Sequence, residues 1–382
     1  MTLLDRYIFK SVLLTFAAAI GLFAFVLMLG NTIRDLLGPL LTGQLGWGLV
    51  PELLFLLLLA VAPFALPLGM LTGVLLTLGR LSADSEITAM RAAGLSLPRI
   101  ARPILLLGLI SAAGAIYANF QAMPHGRVTY EVKLTEAIRA NPLRSIVPKT
   151  FIRDFRGKVF YIGDKQGSML HDIWFWRLDD EGQVTEFIRA ESGQVEYDDA
   201  TNDLILTLTR GQIEQRNPKN PANFSESPRT LSFANSEPQR LPLDRVFGRA
   251  YVRQKKLPWM TYSELRAEQA RLAAKTAAPG EEEQLERDRM KVSLVIAEKF
   301  NTALAVLSFA LIGVPLGIKV SRRETSANLG VAVMLALGYY FLTVMVGWID
   351  RHPEYRPDLL LWIPNLVFLA LGLWLFRRAE RT

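Results

Sequence analysis

Apolar residues gather into six long runs, at approximately 11–33, 53–79, 103–122, 300–318, 329–349 and 359–376. At about 1.5 Å per helical residue, each can cross the roughly 30 Å of hydrocarbon in a bilayer. The run 53–79 holds no charged residue over its 27 positions, so as a helix it must tilt or protrude. Arg6 and Lys10 precede the first run in the manner of a signal peptide. Its apolar stretch is too long for one, and a retained anchor fits better.

Between the third and fourth runs the pattern changes period. From 150 to about 243 the chain carries short β-branched or aromatic runs: Phe151-Ile152, Val159 to Ile162, Ile173 to Trp176, Val184 to Val195, Leu204 to Leu208 and Leu231 to Phe233. Turn clusters separate them, as at Asp179 to Gly182 and Asp198 to Asp203. Such spacing without helical periodicity predicts an all-β domain: a sandwich, jelly roll or barrel. Residues 217–228, rich in Pro, Asn and Ser, read as a loop. Further on, Thr261-Tyr262-Ser263-Glu264 has capping-box spacing and opens a helix to about Ala278. A second helix from about Glu281 runs into the fourth span, with Glu298 and Lys299 expected to snorkel at its outer edge.

The predicted fold is therefore an α-helical membrane protein of six transmembrane helices in a three-plus-three plan, with an inserted all-β, jelly-roll-like domain. Its parts are 1–122, with three spans and a short helix near 82–95; 123–291, with a β region at about 150–243 and a helical connector at about 258–291; and 292–382, with three more spans.

Charge supplies orientation. The N-terminus, the 80–102 and 319–324 loops and the C-terminus hold 12 Lys and Arg, against 3 in the 34–52 and 350–358 loops. By the positive-inside rule both termini are cytoplasmic and the β domain lies across the membrane. The formal net charge of +7 sits on these flanks, whereas 123–291 holds 27 Lys/Arg against 25 Asp/Glu. No basic groove for nucleic acid is implied.

Catalytic chemistry is missing. The sequence has no Gly-x4-Gly-Lys-Ser/Thr phosphate loop, no His-Glu-x-x-His helix and no Gly-x-Ser-x-Gly elbow. Cysteine is absent, and His125, His171 and His352 lie far apart. No catalytic or metal-binding residue and no bound cofactor are expected. A membrane protein without its own energy source must borrow one from a partner.

The loop after the second span offers a place to borrow it. Ser82 or Asp84 can N-cap a short helix, Gly94 suits its end, and Ile87, Met90 and Arg91 stand at i, i+3 and i+4. Two readings stand for this amphipathic turn: a helix in the headgroup plane, or a knob gripped by a cytoplasmic partner. In the β region Trp174 and Trp176 alternate with Ile173 and Phe175, so both faces of that strand are apolar. Either the strand is buried on both sides or one face lines a groove for a lipid-like ligand. Candidate lining residues are Phe151, Val159, Tyr161, Trp174, Trp176 and Leu206. Gly69-x3-Gly73 and Gly313-x3-Gly317 have the spacing of close helix approach, while Pro63, Pro67 and Pro315 can kink their helices.

Several segments resemble the lipopolysaccharide export permeases, the LptF/LptG family. They are Leu4-Asp5-Arg6-Tyr7-Ile8, Leu78-Gly79-Arg80, the loop from Asp84 to Ser96, Gly313 to Gly317, and Trp362-Ile363-Pro364-Asn365. The loop wording leans toward the F paralogue. The resemblance implies an inner-membrane transport subunit, paired with its paralogue and with a dimeric cytoplasmic LptB-type ATPase that uses ATP and magnesium. It implies extraction of lipopolysaccharide and its passage through a periplasmic jelly roll to LptC- and LptA-type proteins. It makes the loop after span two a coupling helix, with Asp84, Glu86, Ile87, Met90 and Arg91 at the ATPase and Glu86 as the matching acid. Arg34, outside span one, is the nearest match to a base that meets lipid phosphates. The competing classes are a membrane-anchored β-domain scaffold or sensor and a lipid-modifying enzyme. The first has no need of a coupling helix, and the second would require clustered acids or histidines.

Overall fold

The protein is described from a computed structural model covering residues 2–41, 45–139, 148–153, 157–179, 181–198, 201, 203–216, 227–242, 255–276, 282–319, 325–348 and 353–381. The side chain of Arg34 and most of the 217–228 loop lie outside this described set. The chain divides into two compact units, one comprising Met1–Thr32, Leu54–Thr129 and Lys256–Thr382, the other Ile33–Leu53 and Tyr130–Lys255.

In the first unit the helices are α1 (Leu3–Asp35), α3 (Val50–Ala83), α4 (Glu86–Ala92), α5 (Leu97–Tyr117) and, after the β unit in sequence, α7 (Tyr262–Ala274), α8 (Glu282–Lys319), α9 (Thr325–Gly347), α10 (Pro357–Leu360) and α11 (Ile363–Arg381). The short α2 is Leu37–Leu41, and α6 is Met123–Arg139. Among the described residues six helical stretches are long and apolar enough to cross a membrane: Leu3–Ile33, Trp47–Ala83, Leu97–Ala137, Glu282–Ile318, Gly330–Gly347 and Pro357–Glu380. The third is longer than its apolar run, because a π-helical turn at Ala118–Ala122 joins α5 to α6 without a break.

Helices α3 and α8 form the centre. One apolar cluster joins Ile8, Val12 and Phe16 of α1 to Val74 and Leu78 of α3, Ile100 and Ile104 of α5, and Val306 and Val314 of α8. Another joins Leu71 and Leu75 of α3 to Phe309 and Ile312 of α8, Tyr339 of α9 and Phe368 of α11. The small-residue pairs set the close approaches. A Cβ at Gly73 would lie 2.7 Å from Phe16 Cα, and one at Gly317 would lie 2.8 Å from Leu78 Cβ. Both glycine pairs thus bring a neighbouring helix nearer than any side chain would allow. The outward faces of α1, α9 and α11 stay apolar and exposed, as at Leu22, Phe25, Met334, Phe341, Leu366 and Trp374.

The connector follows its sequence signals. Thr261 caps α7: its N–H donates to Glu264 Oε2 at 2.9 Å, while its hydroxyl accepts from Glu264 N–H at 3.4 Å. The helix ends at Ala274, a turn earlier than its composition predicts.

The second unit is one antiparallel sheet: β1 (Phe151–Ile152), β2 (Lys158–Gln166), β3 (Met169–Leu178), β4 (Val184–Asp198), β5 (Asp203–Gln215), β6 (Arg229–Asn235) and β7 (Gln239–Pro242). Consecutive strands from β1 to β6 pair as a meander, and β7 pairs the other end of β5. The Greek-key crossings of a jelly roll are not among the described pairings. The sheet does bend. In β3 the buried positions switch from Leu170 to Ile173 and Phe175, and in β5 from Leu204, Leu206 and Leu208 to the partly buried Ile213. The switch falls beside Asp172 and Arg210, whose φ values are 52° and 49°. Such a kink turns a strand through a corner and exchanges its two faces. Both sides of the corner contribute to one core, which includes Phe160, Ile173, Phe175, Ile188, Val195, Leu206 and Leu241.

Candidate functional site

The loop after α3 is built by two left-handed residues. Ser85, at φ 61°, ends the run of α3 and starts α4. The cap position is thus Ser85 rather than Ser82 or Asp84, and no side chain caps the helix. Ser82 instead donates its hydroxyl to the carbonyl of Ile318 at 3.0 Å, tying the loop to α8. At the other end Gly94 takes φ +86°. Gly94 N–H donates to the Arg91 carbonyl at 2.9 Å and Leu95 N–H to that of Met90 at 3.1 Å, which is a Schellman stop.

The outward face of this helix differs from the one its spacing suggests. Ile87 is 2% exposed and belongs to the cluster formed by α1, α3, α5 and α8, with Met90 packed against it. Apolar side chains at the ends of four helices gain more from burial in their own chain than from waiting for a partner. Arg91 is half-buried, and the exposed residues from 83 to 94 are Ala83, Asp84, Ser85, Thr88, Ala89, Ala92, Ala93 and Gly94. Glu86 is engaged within the chain: both carboxylate oxygens accept from the Tyr7 hydroxyl, at 3.0 and 3.2 Å. The structure therefore groups Asp84 and Glu86 with a small-residue face, and turns Ile87 and Met90 inward as the anchor.

In the β unit, strand register assembles a second feature. Tyr161 lies opposite Trp174, Val159 opposite Trp176, and Phe151 opposite Tyr161. Trp176 in turn faces Phe187 on β4. The rings of Phe151, Tyr161, Trp174, Trp176 and Phe187 form a continuous, partly exposed patch, with neighbouring centroids 5.2–6.2 Å apart. Asp172 Oδ1 accepts from Trp174 Nε1 at 2.9 Å, and Arg189 lies over the Trp174 ring at 5.3 Å. Five of the six predicted lining residues thus share one face. Leu206 does not: it is 3% exposed in the core on the opposite face, with Phe175. Phe187 completes the patch and escaped the sequence reading, because only its pairing with Trp176 puts it there. Beside the patch an open groove is lined by His171, Arg189, Glu191, Arg210 and Gln212, and its charges pair as Arg210–Glu191 at 3.1 Å and Arg189–Asp172 at 3.9 Å.

Lys299 corrects another expectation. Its ammonium does not snorkel; the residue is 5% exposed and donates to the carbonyls of Asn119 at 2.7 Å and Met260 at 3.2 Å. Among the described residues no group of three or more His, Asp and Glu is placed to hold a metal ion.

Among the described residues, six helices long and apolar enough to cross a membrane, with a separate antiparallel sheet, define a multi-pass α-helical membrane protein that carries a β unit. Residues 6–378 match the family model of the lipopolysaccharide export system permease LptF/LptG, and the chain belongs to that family of inner-membrane permeases. Over 380 residues it is 23% identical to the lipopolysaccharide export system permease protein LptF of Escherichia coli K12, covering 96% of this chain and 93% of the relative. The LptF proteins of Escherichia coli O157:H7 and Shigella flexneri match to the same extent.

Proposed function

We propose that this chain is the LptF-type half of an ATP-driven complex that extracts lipopolysaccharide from the inner membrane. Its spans act as two sets of three, with both termini in the cytoplasm and the bent sheet in the periplasm as a jelly-roll-like carrier. The observation that carries this reading is α4: a short helix set on the ends of four apolar helices by Ile87, Met90 and Ser82, with a small-residue face left open. A paired LptG-type permease would cover part of the exposed apolar surface of α1, α9 and α11. An LptB-type ATPase dimer would seat α4 and supply the ATP and magnesium chemistry. Lipid would pass the aromatic patch on its way to LptC- and LptA-type proteins, with Arg34 near its phosphates.

Co-purification tests the docking. The wild-type chain should bring down an LptB-type ATPase from detergent extracts. Ala89→Arg, on the open face, and Glu86→Arg should weaken that capture while insertion is kept. Loss of one charged contact in a desolvated groove costs about 2–5 kcal/mol. Undiminished capture by both variants would reject the assignment, and a chain that binds no ATPase at all would fit a scaffold instead.

A further inference from the structure

Helix α4 is joined by the backbone to α3 and α5, but its side-chain contacts lead to α1. Tyr7, Ser11 and Thr15 recur every four residues on α1, which puts them on one helix face. Each meets a polar group of the α3–α4 hairpin. Tyr7 Oη donates to Glu86, Arg80 Nη2 donates to Ser11 Oγ at 2.7 Å, and the hydroxyls of Thr15 and Thr77 share a hydrogen bond. Thr77 also reaches the Ser11 carbonyl at 3.4 Å. Ile8, Val12 and Phe16 back this seam with apolar packing against Leu78, Leu81 and Ile87, and Gly73 lets α1 and α3 touch.

The outer half of α1 is held less firmly. Ala24 packs on Val61 and Ala65 with Ile20, Phe23 and Leu27 beside it, without polar ties to α3 among the described contacts, and Leu22, Phe25, Val26 and Leu29 are exposed. A helix whose described polar ties to α3 and α4 lie at one end follows that end when it moves. We propose that the polar seam is a transmission element in which Tyr7 is a positioning residue: through Glu86 it makes α4 and the cytoplasmic turns of α1 move as one body. A push on α4 then reaches span one directly, and not only the two spans to which α4 is covalently joined. This rests on the reading that α4 docks an ATPase. It assigns Glu86 a role inside the chain, since a carboxylate has lone pairs for Tyr7 and for a partner together.

The chain's lack of cysteine makes the test clean. Leu22→Cys and Met334→Cys, both at exposed apolar positions, carry spin labels in the complete complex reconstituted in vesicles containing lipopolysaccharide. The distance between them is measured before and after trapping with ATP and vanadate. The otherwise unchanged chain should capture the ATPase and show a shift in distance. Tyr7→Phe combined with Thr15→Val should still capture the ATPase and hydrolyse ATP at the unmodified rate. The shift should be lost, however, and lipid released per ATP should fall at least about three-fold. An unchanged shift and unchanged release per ATP would overturn the seam while leaving docking intact. Loss of ATPase capture by the seam variant would also overturn it, since Tyr7 would then only present Glu86 to the partner. Failure of the unmodified chain to capture an ATPase would remove the docking reading, and the proposal with it.

Discussion

Asn119 and Lys299 hold each other by two reciprocal hydrogen bonds: Asn119 Nδ2 donates to the Lys299 carbonyl at 2.9 Å, and Lys299 Nζ donates to the Asn119 carbonyl at 2.7 Å. Asn119 sits in the π-helical turn, where a wider helical repeat disturbs the regular ladder and leaves carbonyls to be satisfied from outside. Lys299 Nζ also meets the Met260 carbonyl and lies 5.5 Å from the Phe120 ring centroid. One ammonium therefore ties the π-helical turn, α8 and the entry to α7, with carbonyls in place of water.

Lys299→Met should loosen that three-way tie. It keeps the length of the side chain and removes its donors, leaving the Met260 carbonyl short of a partner. About 1–2 kcal/mol per lost bond is expected. The check is the unfolding temperature of the detergent-solubilised protein, which should fall for Lys299→Met and, by less, for Asn119→Ala. Equal temperatures would show that the bonds contribute nothing net.

Asn365 should behave as a second tie. It is fully buried; its Nδ2 donates to the carbonyl and to Oδ1 of Asn301 at 2.9 and 2.8 Å, and its Oδ1 accepts from Ser308 at 3.1 Å. Asn365→Leu strands those groups between α8 and α11, at about 1–3 kcal/mol. Asn301→Ala removes one of the same partners. A double-mutant cycle on unfolding should show the pair costing less than the two singles summed, and strict additivity would refute the network.

Ile87→Ala should free α4 without touching its open face. Truncating a buried Ile costs about 2–5 kcal/mol where the site cannot collapse. Limited trypsin digestion reads the effect as faster cleavage after Arg91 or Arg99. Thr88→Ala, exposed on the same helix, should digest at the wild-type rate.

In the sheet, a photo-crosslinker at Trp174 should capture lipopolysaccharide during ATP-fuelled transport, whereas one at Phe175 or Leu206 should not. Adjacent strand residues face opposite ways, and Phe175 and Leu206 lie in a closed core. Capture at Phe175 and Leu206 but not at Trp174 would mean that the core opens to the lipid and that the aromatic patch is its outer wall.

Much of this protein is written in short windows of its sequence. The six spans follow from apolar length, because lipid leaves a backbone no choice but to satisfy its own hydrogen bonds. The capping box at Thr261 and Glu264, the stop at Gly94 and the first six strands are also local. Each depends on residues within a few positions of one another, where propensity and pattern act. The inward turn of Ile87, the burial of Lys299, the place of Leu206 in the core and the addition of Phe187 to the aromatic patch were decided elsewhere. Lys299 meets Asn119 across 180 positions, and the sheet exchanges its faces at Asp172 and Arg210, so alternation alone does not tell which side of a strand is inside. A side chain's surroundings are set by register and by distant helix ends, and those exist only once the chain has packed.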